Sequence, residues 1–276
     1  VRLGARLLGS VTGGNGYLAS VSDLVSALIF VFIIMLAVFA YRLAEVTEDW
    51  TSTYETRGRI LEDIAMRLGE AGIRVEVLSD QGVIRLSDNA INFPSGGDVP
   101  VTEHHSNVGF LARAIAEVAP CYARSEDAAA PNPATAEPAS QSHCQVPADR
   151  SSYPCPDLPD RLDTLLIEGH TDDVPVAAGN RFRDNLELSS MRAATVHRMI
   201  AACEPHIEGL RNSEGYPILS TSGYGQTRPA TDDPVRADDN RRIDLRFLLE
   251  PPDIVSAGSE SAVETGIRGR YRARPP

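Results

Sequence analysis

The sequence predicts an α+β protein: a single N-terminal transmembrane helix, a linker helix, and then a domain built on a mixed sheet. Three observations carry this. The run LVSALIFVFIIMLAVFAY at 24–41 is apolar apart from Ser26. Helical periodicity follows from Glu45 to Gly72, with Ile60, Leu61, Ile64, Ala65 and Leu68 on one side. Beyond residue 73, short β-branched segments alternate with amphipathic stretches, the pattern of strands joined by helices.

Taken with its weaker flank from Tyr17, the apolar run gives a span over 17–41, and about 20 apolar residues suffice to cross a bilayer core. Arg2 and Arg6 precede it, whereas Glu45, Glu48 and Asp49 follow. The positive-inside rule therefore predicts a single-pass inner-membrane protein with residues 1–16 cytoplasmic and the rest periplasmic. A cleaved signal peptide is the alternative, although the run exceeds the ~7 to 15 residues of an ordinary signal core.

Asp23 lies inside this span. A carboxylate there costs roughly 2.5 to 3.5 kcal/mol on insertion scales and commonly faces a partner helix or an ion path. Asp23, Ser26, Ala27 and Phe30 share one helical face. Two readings stand: an ion-handling group that needs partner helices, or a cap in which Ser22 and Asp23 meet the positive end of the helix dipole.

The linker helix is predicted over 42–72. Strands follow at Ile73–Leu78 and Val83–Leu86 around a Ser79-Asp80-Gln81-Gly82 turn, then a loop at 91–96 and a helix over Asn107–Val118. Residues 121–160 are rich in Ala, Pro and Ser and read as a surface insert. Strand is predicted again at Leu165–Glu168, helix at Leu186–Ala202, and strand at Ile218–Ser222 and Arg242–Leu249. The sheet domain thus occupies 73–250, and the polar tail 251–276 is expected to be disordered.

The formal net charge is −12 and every basic residue is arginine. A chain this acidic lacks the positive excess that phosphates require, so no direct nucleic-acid partner is expected. Cys121, Cys144, Cys155 and Cys203 all follow the span, in a compartment that permits disulfides. Two bridges are expected, with three connectivities open. A zinc site is the competing reading, weakened by the absence of a C-x-x-C spacing. His104 and His105 fall in a polar stretch where nothing nearby completes a metal set, and His170 reads as a structural hydrogen-bonding residue. No bound cofactor or metal is expected.

From Gly169 the motifs GHTDDVP, RFRDNLELSSMRA, SGYGQTRPA and NRRIDLRFL follow in order. This series resembles the OmpA-like peptidoglycan-binding domain, and its GHTDDVP with F-x-x-N-x-E-L-S spacing is most similar to the MotB branch. The resemblance covers residues from about 60 to 250 and implies a βαβαβ-type domain that is not an enzyme. The implied ligand is the diaminopimelate of the peptidoglycan stem, which carries both an ammonium and carboxylates. Asp172 matches the acid for the ammonium, with Asp173 as a substitute one position on. Arg192 matches the arginine that grips a carboxylate, a role suited to its planar fork. Asn185, Leu188 and Ser189 match the segment opening the helix, and Asn240 and Arg241 match a late motif bordering the groove. Gly223 and Gly225 read as backbone-geometry positions.

Together with the span and Asp23, the series resembles the stator B subunits of ion-driven motors. This implies a homodimer inside a ring of multi-span A subunits of the ZorA or MotA type, five in number, with H+ or Na+ carried past Asp23. Two branches fit: the B components of Zorya anti-phage defence systems and flagellar MotB. The span VSDLVSALIFVFIIMLAVF, the Ala119-Pro120-Cys121-Tyr122 helix end and the cysteine-bearing insert favour the first. So does Ser22, where MotB usually has an aromatic residue. A passive envelope tether without ion flow is the remaining alternative.

Overall fold

The computed structural model describes residues 14–125, 144, 155, 161–233 and 238–251. It contains an N-terminal apolar helix followed by an α+β domain on a mixed sheet.

Helix α1 (Gly14–Glu70) runs unbroken through both the predicted span and the predicted linker. No proline occurs between residues 14 and 70, so nothing in the backbone separates the two. Its apolar stretch, Val21–Ala44, is long enough to cross a membrane. Hydroxyls along α1 bond back to carbonyls four residues earlier: Ser26 to Ser22 at 2.8 Å, Thr47 to Leu43 at 2.7 Å and Thr51 to Thr47 at 2.8 Å. These bonds satisfy polar side chains locally. Ser26 thus needs no partner helix to satisfy its hydroxyl.

The chain divides into two compact units at residue 51/52. In the unit spanning 52–251 the end of α1 changes role: Ile60, Leu61, Ile64 and Leu68 are fully buried. The helix stops at Gly69 and Gly72, where Gly72 has φ 77° and donates its N–H to the Gly69 carbonyl, the left-handed exit that glycine adopts without penalty.

Five strands form the main sheet in the order β1-β2-β7-β4-β6. They are β1 (Glu76–Leu78), β2 (Val83–Leu86), β4 (Leu162–His170), β6 (Leu219–Gly223) and β7 (Arg242–Leu249). β4 and β6 are parallel and joined by helix α3 (Asn185–Cys203); the other pairs are antiparallel. Alternation along β7 puts Ile243, Leu245 and Phe247 into the core, with Arg242, Asp244 and Arg246 on the opposite face. Helix α2 (His105–Val118) and α3 pack together over the core with Val108, Leu111, Ile115, Val196 and Ile200 buried.

The structure differs from the sequence reading at several points, the first being that β1 starts at Glu76 and not at Ile73. β4 begins three residues earlier and continues to His170, because its antiparallel pairing with β7 runs from Leu162 to His170. The β1–β2 turn is a 3-10 turn over Ser79–Gln81 closed by Gly82. The start of the predicted insert belongs to the fold: Tyr122 is fully buried, and its carbonyl accepts the Leu162 N–H at 2.7 Å. A two-residue strand β3 (Arg124–Ser125) pairs with β5 (Leu210–Arg211), both too short to carry a period. Residues 126–160 other than Cys144 and Cys155, and the tail 252–276, lie outside the described residues. The cysteines pair as Cys121–Cys155 and Cys144–Cys203, two separate bridges and not a four-thiolate cluster.

Candidate functional site

β4 ends at His170, and the chain then makes a long loop back to the start of α3. Asp184 caps α3, accepting the Glu187 N–H at 2.8 Å, while the Glu187 carboxylate accepts the Arg183 N–H at 2.8 Å. These bonds satisfy donors at the helix start that would otherwise be open to an anion. Asn185 is buried and donates from its amide to the carbonyls of Asp172 and Val174, at 3.2 and 3.0 Å. Its carboxamide fixes the return of the loop.

A second loop, 92–101, faces this one. Its ends are tied by Val101 N–H to the Asn92 carbonyl, and His104 Nδ1 accepts the Asn92 N–H at 2.8 Å. His105 opens α2 with Nε2 at 2.9 Å from the Pro100 carbonyl. These histidines therefore close a loop. Asn180 joins the two loops through a 3.1 Å bond to the Gly96 carbonyl, and Arg181 pairs with buried Asp98.

Between the loops is a cavity of about 520 Å³ lined by Phe93, Thr171, Asp172, Leu188, Arg192 and Arg241 among others. Arg192, on α3, is 2% exposed. Its Nε donates to the Gly97 carbonyl at 2.9 Å and its Nη2 to the Pro94 carbonyl at 3.3 Å, and the guanidinium lies 4.8 Å from the centre of the Phe93 ring. Burial lowers its pKa to about 10, opposed by the charge of Asp172. Of five guanidinium N–H donors, two are committed to these loop carbonyls.

The predicted acid and arginine both line the cavity, but they are not paired with each other. Asp172 Oδ2 accepts instead from Arg241 Nη1 at 3.1 Å. Arg241 also reaches Asp88 Oδ2 through Nη2 at 3.0 Å and Asp238 Oδ1 through Nη1 at 2.7 Å. Burial works against its charge, yet the hydrogen bonds to Asp172 and Asp88 outweigh burial and leave its pKa raised.

The other expected site residues have the following surroundings. Asp173 is exposed and outside the cavity lining, whereas Asp172 is part of it. Ser189 is fully buried: its hydroxyl accepts the Gly225 N–H at 2.8 Å and donates to the Leu186 carbonyl, so it braces the fold. Asn240 accepts from Ala230 N–H at 2.7 Å and donates to the Thr231 carbonyl, pinning a loop away from the cavity lining. Asn185 does line the cavity, with its amide donors committed to the loop. Gly225 has φ 55°, and a Cβ on Gly223 would strike Ser190, so both act through backbone geometry. Phe93, Asp88 and Asp98 were not singled out from sequence, where they lie in loop and turn segments without a periodic signal.

Among the described residues His170 makes no hydrogen bond through either ring nitrogen, contrary to the expected role, although its Nε2 stands 3.5 Å from Asp244 Oδ2. Its ring stacks on Tyr224 at 5.3 Å between centroids. Burial, then the charge of Arg242, lowers its pKa to about 3, so the ring is neutral. Glu168, His170 and Asp244 bring potential metal-ligand atoms within 4.8 Å of one another on the sheet face opposite the core. Both carboxylates are already engaged by guanidinium groups: Glu168 by Arg246 at 2.8 and 2.9 Å, and Asp244 by Arg242 at 3.0 Å and Arg85 at 3.2 Å. A cation would have to displace those arginines.

No protein-family model and no curated protein matches the chain. Among solved structures it is similar to a MotB-like protein from Desulfovibrio vulgaris, at 18% identity and TM-score 0.47, over 73% of this chain and 98% of that one. It is also similar to the periplasmic domain of Helicobacter pylori MotB, at 17% identity and TM-score 0.39, over 69% and 87%. A third likeness is to the cell wall anchor of the T6SS from Pseudomonas aeruginosa, at 16% and 0.41, over 70% and 99%.

Proposed function

We propose that this protein is a membrane-anchored cell-wall-binding subunit, the B-type stator component of an ion-driven motor. The observation that supports it best is the placement of an acid, Asp172, and a buried cation, Arg192, in the lining of one cavity. A zwitterionic group such as diaminopimelate needs that arrangement: a carboxylate to meet its ammonium and a guanidinium to meet its carboxylate. The motifs from GHTDDVP to NRRIDLRFL support the same ligand by resemblance.

The motor part of the reading rests on Asp23, an acid in the apolar stretch Val21–Ala44 of α1. In this reading two copies stand inside a ring of multi-span A subunits, H+ or Na+ passes Asp23, and the wall-bound domain holds the pair still. The inner membrane and a periplasmic sheet domain complete the picture. Ser22, the span and the cysteine-bearing insert favour a role in anti-phage defence of the Zorya type over a flagellar one.

Co-sedimentation of the full-length, detergent-solubilised chain with isolated peptidoglycan sacculi tests the anchor. Asp172→Asn and Arg192→Ala should each lower the bound fraction at least about ten-fold, the scale of one lost charge-assisted contact. Undiminished binding by both variants would refute the site. Arg192→Ala also frees the 94–97 loop, so Asp172→Asn is the cleaner of the two.

A further inference from the structure

Arg241 poses a chemical problem for the acidic end of the cavity. A guanidinium bonded to Asp172 alone would cancel its charge and leave little to attract an ammonium. The fold brings a second buried-side acid to the same guanidinium. β7 lies between β2 and β4, antiparallel to both. The register pairs Leu86 of β2 with Ile243 and His170 of β4 with Arg242. Continued past the strand ends, it sets Asp88 opposite Arg241 on the β2 side and Thr171, the neighbour of Asp172, opposite it on the β4 side.

The contacts agree with that register. Nη1 of Arg241 is 3.1 Å from Asp172 and Nη2 is 3.0 Å from Asp88, with Asp88 and Asp172 side chains only 19% and 16% exposed. Asp88 Oδ1 is buried and has no hydrogen-bond partner among the described residues. Asp238 also touches Arg241 but is 73% exposed, so solvent screens it and it counts for little. One cation is therefore divided between two half-buried carboxylates, leaving the group with an excess negative charge.

We propose that Asp88 is a specificity-determining residue of the cavity: it occupies half of Arg241, so that Asp172 keeps the negative charge that selects a ligand ammonium. This rests on the zwitterion-binding reading above. Asp88 acts through Arg241 and is a positioning residue, not a ligand contact. The alternative is that Asp88 only pins the 87–91 turn, closed by the bonds of Ala90 and Ile91 N–H to the Ser87 carbonyl. The two differ in what they do to ligand choice. A lost charge within a Debye length weakens binding of a cation and leaves a neutral group untouched, whereas a loosened turn weakens both.

The test is calorimetric titration of the full-length chain in detergent with two probes. One is a stem tripeptide ending in meso-diaminopimelate, and the other is the same peptide with its side-chain amine acetylated. Wild type should prefer the free amine. Asp88→Asn keeps an acceptor for Arg241 but not the charge. It should lower affinity for the amine probe about ten-fold, the effect of one unit charge at partly screened range, with the acetylated probe unchanged. Asp88→Glu should restore the preference. Equal loss for both probes, or no loss for either, overturns the role of Asp88 while leaving the cavity as the wall-binding site. A wild-type chain that binds neither probe overturns the site reading, and this inference with it.

Discussion

The backbone of Gly169 on β4 lies directly against the carbonyl of Ser189 on α3, so that a Cβ at residue 169 would overlap that oxygen. The same helix turn meets β6, where Ser190 blocks a side chain at Gly223. Two glycines on parallel neighbours, paired at Gly169↔Gly223, thus let α3 settle onto the sheet close to Asp172, and the same helix carries Arg192 into the cavity.

Gly169→Ala should therefore destabilise the domain by about 1 to 3 kcal/mol, the usual cost of forcing a methyl into a packed core. The clash is with backbone, which cannot rotate away, so the upper part of that range is expected. Urea denaturation of the full chain in detergent measures it, and an unchanged midpoint would show that α3 does not seat as described.

His170 gives a pH dependence with a definite sign. Its folded pKa, about 3, lies below its ordinary value of 6.5 because of burial and Arg242. The unfolded chain therefore binds more protons between those values. The neutral ring's contribution is fully present above about pH 6.5 and is lost as pH falls toward 3, with a slope of at most about 1.4 kcal/mol per pH unit. Replacing it by His170→Gln should flatten the fall in denaturation midpoint between pH 6.5 and 4.5, and an identical slope would exclude His170 as its source.

Asp23→Asn removes the charge and the proton-accepting oxygen while keeping the shape. Under the motor reading it should abolish ion-dependent activity, seen as phage plating returning to the level of an empty strain, with membrane insertion and abundance unchanged. Protection that survives the substitution would leave only the tether reading.

The sequence was most legible where one local rule sufficed. The 24–41 run needs only length and apolarity to be read as a candidate membrane span. β7 is legible to the residue because polar and apolar side chains alternate from Arg242 to Phe247. The two-residue strands β3 and β5 and the early start of β4 escaped, since they exist only through pairing with distant partners. Asp172, Arg192 and Arg241 were readable through the motif series, and all three line the cavity. Ser189 and Asn240 carry the same motif signal yet serve the fold, because a motif records that a residue type is needed without recording what it touches.

The sequence by itself determined the apolar helix, the α+β class and the order of the motifs that carry Asp172, Arg192 and Arg241, because hydropathy, periodicity and motif order are properties of the chain alone. Tertiary structure decided the partners. Asp172 bonds to Arg241 and not to Arg192, Arg192 holds the 94–97 loop, and Asp88 shares the cation with Asp172. The physical reason is the strand order β2-β7-β4: it sets Arg241 between two acids far away in sequence, and charges act across space whatever their separation along the chain.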